Sequence, residues 1–228
     1  MKLLDRLYFI RVHKKLAIWH RSLGLYAFVF IIWGLYRLLF RFPIWIEETF
    51  FKALIFGLPV FVILSKTEKK PLSFLGMTTK NLFEAVYLGL GLGLLLGFVG
   101  QLGNFIRHQG GLVYSDFGLT ASNIGAFLIL ALITAFWEEL LFMGYILNHL
   151  VITLKFEWQT ALITSGLFSL VHLPALVISQ LPTTQIILQL ILLITLGIGN
   201  SILMLRTKNL AAPILAHALW GTTIFIFR

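Results

Sequence analysis

The run Ile124–Leu147 is long and apolar enough to cross a bilayer, and in its second half stand two adjacent glutamates, Glu138 and Glu139. Hydrocarbon offers the backbone no hydrogen bonds, so a chain crossing it must form helices or a closed barrel. About 20 apolar residues is the length a spanning helix needs. A charge near the bilayer centre costs about 2.5–3.5 kcal/mol on insertion scales. The segment therefore reads as a helix whose glutamate pair is received by other protein elements.

The rest of the chain has the composition such a bundle requires. Of its 228 residues, 59% are hydrophobic and 12% charged, with a mean hydropathy of +0.93. Soluble domains carry about 25% charged residues, and one soluble core of this size could not hide so much apolar surface. The expectation is an all-α, polytopic transmembrane bundle of about seven to eight helices, forming one membrane domain over residues 1–228. There are no cysteines, which excludes disulfides, thiolate metal sites and a cysteine nucleophile. The net charge of +9 sits largely in short segments beside apolar runs, the pattern that orients membrane proteins. The partner implied is the lipid bilayer rather than nucleic acid.

In chain order, residues 1–21 mix Lys2, Arg6, Arg11, Lys14, Lys15 and Arg21 with leucines and aromatics, as in a basic helix lying on headgroups. Spans follow at about Ser22–Phe40, Ile46–Ser65 and Leu82–Ile106, the last with glycines at 89, 91, 93, 97 and 100 that suit close helix packing. A loop with His108 and Asp116 leads to the span holding the Glu pair. Further spans fit Trp158–Pro174 (continuing past the proline as a kinked helix), Thr183–Leu205 and Leu210–Phe227. Lys and Arg concentrate at the N-terminus and in the connector 66–80, which puts the N-terminus inside and the C-terminus outside. Arg37, Arg41 and Lys52 fall to the outer side, and Glu47, Glu48 and Lys52 to the first turns of the second span.

Four ionisable residues then lie deep: Glu138, Glu139, His172 and His217, from three spans, with Asn200 joining them from a fourth. Each needs partners that lipid cannot supply. Carboxylates with imidazoles are the groups that activate water, as general bases or by holding a metal ion. Thr134, one turn before Glu138, is placed to bond either that carboxylate or its own helix backbone. His149, three turns further on, reads as an interfacial residue.

These residues carry a resemblance. Glu138-Glu139-Leu-Leu-Phe-Met-Gly144, Phe168-Ser-Leu-Val-His172 and the stretch Asn209–Gly221 around His217 resemble the three motifs of the CPBP family, the CAAX prenyl proteases and bacteriocin-processing (Abi) enzymes. Order and spacing agree across roughly residues 120–228, the CPBP-like core. The resemblance implies an intramembrane endopeptidase in which Glu138 and His172 activate water and His217 holds the water or the oxyanion, with Glu139 beside them. Zinc is implied only as one option, with Glu138, His172 and His217 as ligands and an open position. It also implies a peptide or protein substrate reached from the membrane, and an integral protein of a bacterial cytoplasmic membrane with its N-terminus cytoplasmic.

Two departures keep other readings open. Met143 stands where the family has Arg, leaving Glu139 without its expected counter-charge at i+4. Gly221 stands where the third motif usually has Asn, and it offers no side-chain donor; Asn200 or Thr222 is the expected substitute. Loss of one oxyanion donor costs about 10²–10³ in rate. A weak or inactive relative acting as a membrane scaffold or bacteriocin-immunity protein is one alternative. A small transporter, suggested by glycine-interrupted spans and buried carboxylates, is another.

Overall fold

The computed structural model describes residues 3–107, 109–111, 113 and 120–226 of the chain. The basic side chains of the first 14 residues, His108 and Asp116 lie outside the described residues. Among the described residues seven helices carry the fold: α1 (Leu3–Leu39), α2 (Ile44–Glu68), α3 (Leu82–Arg107), α4 (Ala121–Thr153), α5 (Glu157–Ile178), α6 (Thr183–Thr207) and α7 (Ala211–Ile226). Six contain a stretch long and apolar enough to cross a membrane. The seventh, α7, has 16 residues, so at about 1.5 Å per residue it falls short of a hydrocarbon core about 30 Å thick. No strand occurs among the described residues. The protein is an integral membrane protein of the all-helical kind.

Large apolar side chains point outward along the helices, among them Phe28, Ile31 and Leu35 on α1 and Phe83, Tyr87, Leu94 and Phe98 on α3. In water such a belt would drive association, whereas in lipid it is the matching surface. The break expected between a headgroup segment and the first span is absent, because α1 runs without interruption through Arg21 and Ser22.

Glycine decides where helices approach. A Cβ on Gly89, Gly93 or Gly97 would lie within 3.0 Å of an atom of α7, whereas one on Gly91 would meet nothing. The i, i+4 glycines thus form a groove for α7, the helix that carries His217. Likewise a Cβ on Gly57 of α2 would strike the Trp137 ring at 2.5 Å, and one on Gly144 of α4 would sit 3.1 Å from the Leu75 carbonyl. These two contacts bring α2 and the 66–80 connector against the helix holding the Glu pair.

Two helices depart from α geometry beside that pair. In α4 the spiral widens to π over Leu140–Leu147, all eight of them buried, starting at the residue after Glu139. In α2, π turns cover Glu47–Phe51, Ala53–Gly57 and Ile63–Glu68. Such wide turns are rare and cluster at functional sites. α5 continues through Pro174 to Ile178 as expected, which carries His172 inside a helix rather than at its end.

Candidate active site

Glu138 and Glu139 are 3% and 0% exposed, in the middle of α4. Their carboxylates face different partners. Glu139 Oε1 accepts from Asn200 Nδ2 at 2.8 Å and from His217 Nδ1 at 2.7 Å. A carboxylate accepts, so His217 carries its proton on Nδ1 and turns Nε2 away, toward Glu138 Oε2 at 3.8 Å. His172 does the same by another route. Its Nδ1–H donates to the Phe168 carbonyl one turn back at 2.9 Å, leaving Nε2 3.5 Å from the same Glu138 oxygen. Glu138 Oε2 is therefore a buried carboxylate oxygen with no hydrogen-bond donor among the described residues, flanked by two imidazole nitrogens. Of the three side chains His172 is the most open, 26% exposed against 3% for Glu138 and 7% for His217, and it forms the edge of the site.

The other Glu138 oxygen reveals what sequence reasoning missed. Oε1 is ion-paired with Lys52 of α2, and the same ammonium reaches Glu48 Oε2 at 2.5 Å. Lys52 is 4% exposed, so it is no outer-surface base, and Glu47 and Glu48 are buried with it. The expectation that only the adjacent pair is deep among the acids is thereby corrected. Hydropathy alone places these residues in a span's first turns. The Gly57–Trp137 contact and the π turns fold those turns against α4 instead. One spacing signal existed: Glu48 and Lys52 are four apart, the ion-pairing interval on a helix.

Thr134 binds neither of the partners weighed for it; its hydroxyl donates to Glu48 Oε2 at 2.8 Å. Met143 is fully buried and receives the Ser201 hydroxyl on its sulfur at 3.5 Å. With π geometry after Glu139, position 143 no longer lies one regular turn above it, and the cation near the pair comes from α2 instead. Asn200 is engaged with Glu139, and the Thr222 hydroxyl donates to the Ala218 carbonyl at 2.7 Å. A Cβ on Gly221 would meet Ala131 at 3.7 Å.

His149 is enclosed by protein. It is fully buried, with Nδ1 on the Tyr145 carbonyl at 2.7 Å and Nε2 2.9 Å from Glu68. Glu68 also takes Arg21 and the Tyr145 hydroxyl, each at 2.9 Å. This second polar cluster ties α1, α2 and α4 together about two to three turns along α4 from the glutamate pair.

As they stand, the described residues contain no group of three or more His, Asp or Glu side chains arranged to hold a metal ion. Glu138 already has an ammonium on one oxygen, and the two histidines approach its other oxygen from 3.5 and 3.8 Å.

Residues 120–223 match the family model of the type II CAAX prenyl endopeptidase Rce1-like proteins. The matched stretch holds Glu138, Glu139, His172, Asn200 and His217, in agreement with the resemblance read from the three motifs. It excludes Glu48 and Lys52. Comparison with curated proteins and with solved structures gives no match. At the level of the family, the match supports a CAAX-type peptidase embedded in a bilayer.

Proposed function

We propose that the chain is an intramembrane endopeptidase in which Glu138 is the general base that activates water. The observation that supports this is the Glu138 Oε2 oxygen, buried, without a donor among the described residues and faced by Nε2 of His172 and His217. A water seated there gives its proton to Oε2 as its oxygen bonds to the peptide carbonyl carbon. The same proton then passes to the leaving amine nitrogen as the C–N bond breaks. Lys52 holds Glu138 as a carboxylate. His172, at the open edge, orients the water and meets the incoming peptide. His217, its Nδ1–H committed to Glu139, which Asn200 also binds, offers its Nε2 lone pair to the water's second proton and so holds the water in place.

A zinc ion on Glu138, His172 and His217 is a separate proposal, in which the metal would polarise the water or the carbonyl. Metal content measured on the purified protein tests it directly.

A second reading has a specific observation in its favour. With Gly221 lacking a side chain, Asn200 engaged by Glu139 and Thr222 by its own helix, no neutral side-chain donor is free for the oxyanion among these positions. That suits a weak or inactive relative serving as a scaffold or immunity protein. Cleavage of a peptide library by detergent-purified protein separates the two. Wild type is expected to cut, and Glu138→Gln and His172→Ala to lose about 10²–10⁴ of that rate. If a positive-control relative cuts and this protein does not, the scaffold reading replaces the enzyme. Unchanged cleavage in both variants would overturn the site assignment.

A further inference from the structure

Three connections gather at one end of the bundle. Asn209, between α6 and α7, donates to the Thr78 and Lys80 carbonyls of the 66–80 connector at 2.9 and 2.7 Å. Asn148, near the end of α4, donates to the Phe74 carbonyl of the same connector at 2.8 Å. The loop from α4 to α5 therefore lies at the same end as the turn from α6 to α7.

Between these two connections the helices form a wedge. α5 and α6 run antiparallel, with Ser169 bonded to the Leu190 carbonyl and Gly197 facing Ser165, where a Cβ would lie 3.0 Å from the Ser165 Cα. Beyond that contact, toward the loops, they part around a cavity of about 520 Å³. Buried Ala161 and Leu205 form its floor, with exposed Trp158 and Ile202 at its flanks. Leu162, exposed one turn after Trp158, carries this apolar surface on into the outward-facing belt.

The rim is charged. Lys155, Glu157 and Arg206 line it, and none of the three has an oppositely charged partner among the described residues. Glu157 stands in the first turn of α5 and Arg206 in the last turn of α6, each where its own helix favours that charge. The Lys155 ammonium lies 5.1 Å from the centre of the Phe156 ring, which stacks on Trp158 at 6.3 Å. Two bases and one acid leave a single positive charge over an apolar floor.

That combination selects the occupant. A phosphodiester carries one negative charge, and a guanidinium beside an ammonium is the donor set its oxygens take. Aromatic side chains such as Phe156 and Trp158 suit the level of the headgroups, and basic pockets between helices at a membrane surface bind anionic headgroups. A free phosphate would answer the bases but leave the apolar flanks uncovered, whereas a phospholipid meets both. The cavity is separate from the glutamate pair: His172 is eleven residues beyond Ala161, about 16 Å along α5.

We propose that the wedge between the start of α5 and the end of α6 binds one anionic phospholipid, its phosphodiester held by Lys155 and Arg206 and an acyl chain laid over Ile202 and Leu162. The assignment does not depend on the endopeptidase reading.

The test is native mass spectrometry of the full-length protein, released from micelles that carry dioleoylphosphatidylglycerol or dioleoylphosphatidylcholine. The first phosphatidylglycerol is expected to bind about five- to tenfold more tightly than the first phosphatidylcholine, as for partly exposed charge-assisted contacts. Lys155→Gln with Arg206→Gln should erase that preference while leaving phosphatidylcholine binding and the thermal midpoint in phosphatidylcholine unchanged. Arg206→Gln alone should lose about two- to threefold of it, which keeps the test decisive if the double variant is unstable. Lys66→Gln with Lys80→Gln, exposed bases outside the cavity, should retain the full preference. Equal binding of the two lipids, a preference that survives the double variant, or an equal loss in the Lys66 and Lys80 variant overturns the site. Millimolar inorganic phosphate is expected to leave the lipid in place; complete displacement would assign the cavity to a soluble anion and overturn the lipid.

Discussion

Lys52→Met is the substitution that most directly probes how this site is held together. The lysine is 4% exposed and contacts carboxylates on two sides, Glu48 of its own helix and Glu138 of α4. Methionine keeps most of the stem volume and removes only the ammonium. Two buried carboxylates are then left facing each other without the charge between them. Breaking a buried ion pair from one side costs about 3–5 kcal/mol, because the remaining charge is stranded. For a chain of this size 1 kcal/mol corresponds to about 2–4 °C, so the expected loss in detergent is roughly 10 °C. Tryptophan fluorescence during a thermal ramp reads it. Glu48→Gln alone should cost less, about 1–2 kcal/mol, since the amide oxygen can still accept from Thr134. The double variant should lose clearly less than the sum of the two, with a coupling of about 1–3 kcal/mol. Cleavage should fall with Lys52→Met as Glu138 is no longer held as a paired base. Loss under about 0.5 kcal/mol, the level of an ordinary surface substitution, would refute the triad. So would strict additivity with Glu48→Gln.

Other expected outcomes follow from single contacts. Asn200→Ala removes one donor from Glu139 and should lower kcat about tenfold through a looser His217, as for other residues that orient a working imidazole; a loss of 10²–10³ would instead make Asn200 an oxyanion donor. Thr134→Val should cost about 1–3 kcal/mol by removing one of the two donors on Glu48 Oε2, the other being Lys52, with little change in cleavage; a collapse in kcat at unchanged stability would contradict the Thr134–Glu48 bond. Gly93→Val should destabilise by more than 1 kcal/mol and depress cleavage, because its new side chain meets Leu219 and Ala216 of the His217 helix at 2.9–3.0 Å. Gly91→Val, where nothing lies within 4 Å, should be tolerated in both thermal stability and cleavage.

Much of the architecture was open to reading in the chain itself. Helix number and placement followed from run length, since every backbone group in hydrocarbon must be satisfied within its own segment. Glu138, His172 and His217 stood out because an ionisable side chain in an apolar run is costly wherever it points, and the structure does bring the three side chains together. Glu139 was equally visible, though its partners were not. The resemblance makes an arginine at position 143 the counter-charge of Glu139, and the chain has methionine there. The cation enters instead from α2 and binds Glu138, while Glu139 is served by Asn200 and His217.

Lys52 and Glu48 escaped because position near a span's end makes a charge look solvated. Whether it is depends on what packs over it, here Trp137 against Gly57 and the π turns that redirect the α2 side chains. His149 escaped for the same reason, buried by a cluster whose members Arg21 and Glu68 are 47 residues apart in the chain. Transfer free energies act residue by residue, so the chain alone marks a bundle in lipid with a costly acidic centre. Which charge answers which is a matter of distance between helices and shows only in the fold, where Lys52 and Glu138 meet across 86 residues of chain.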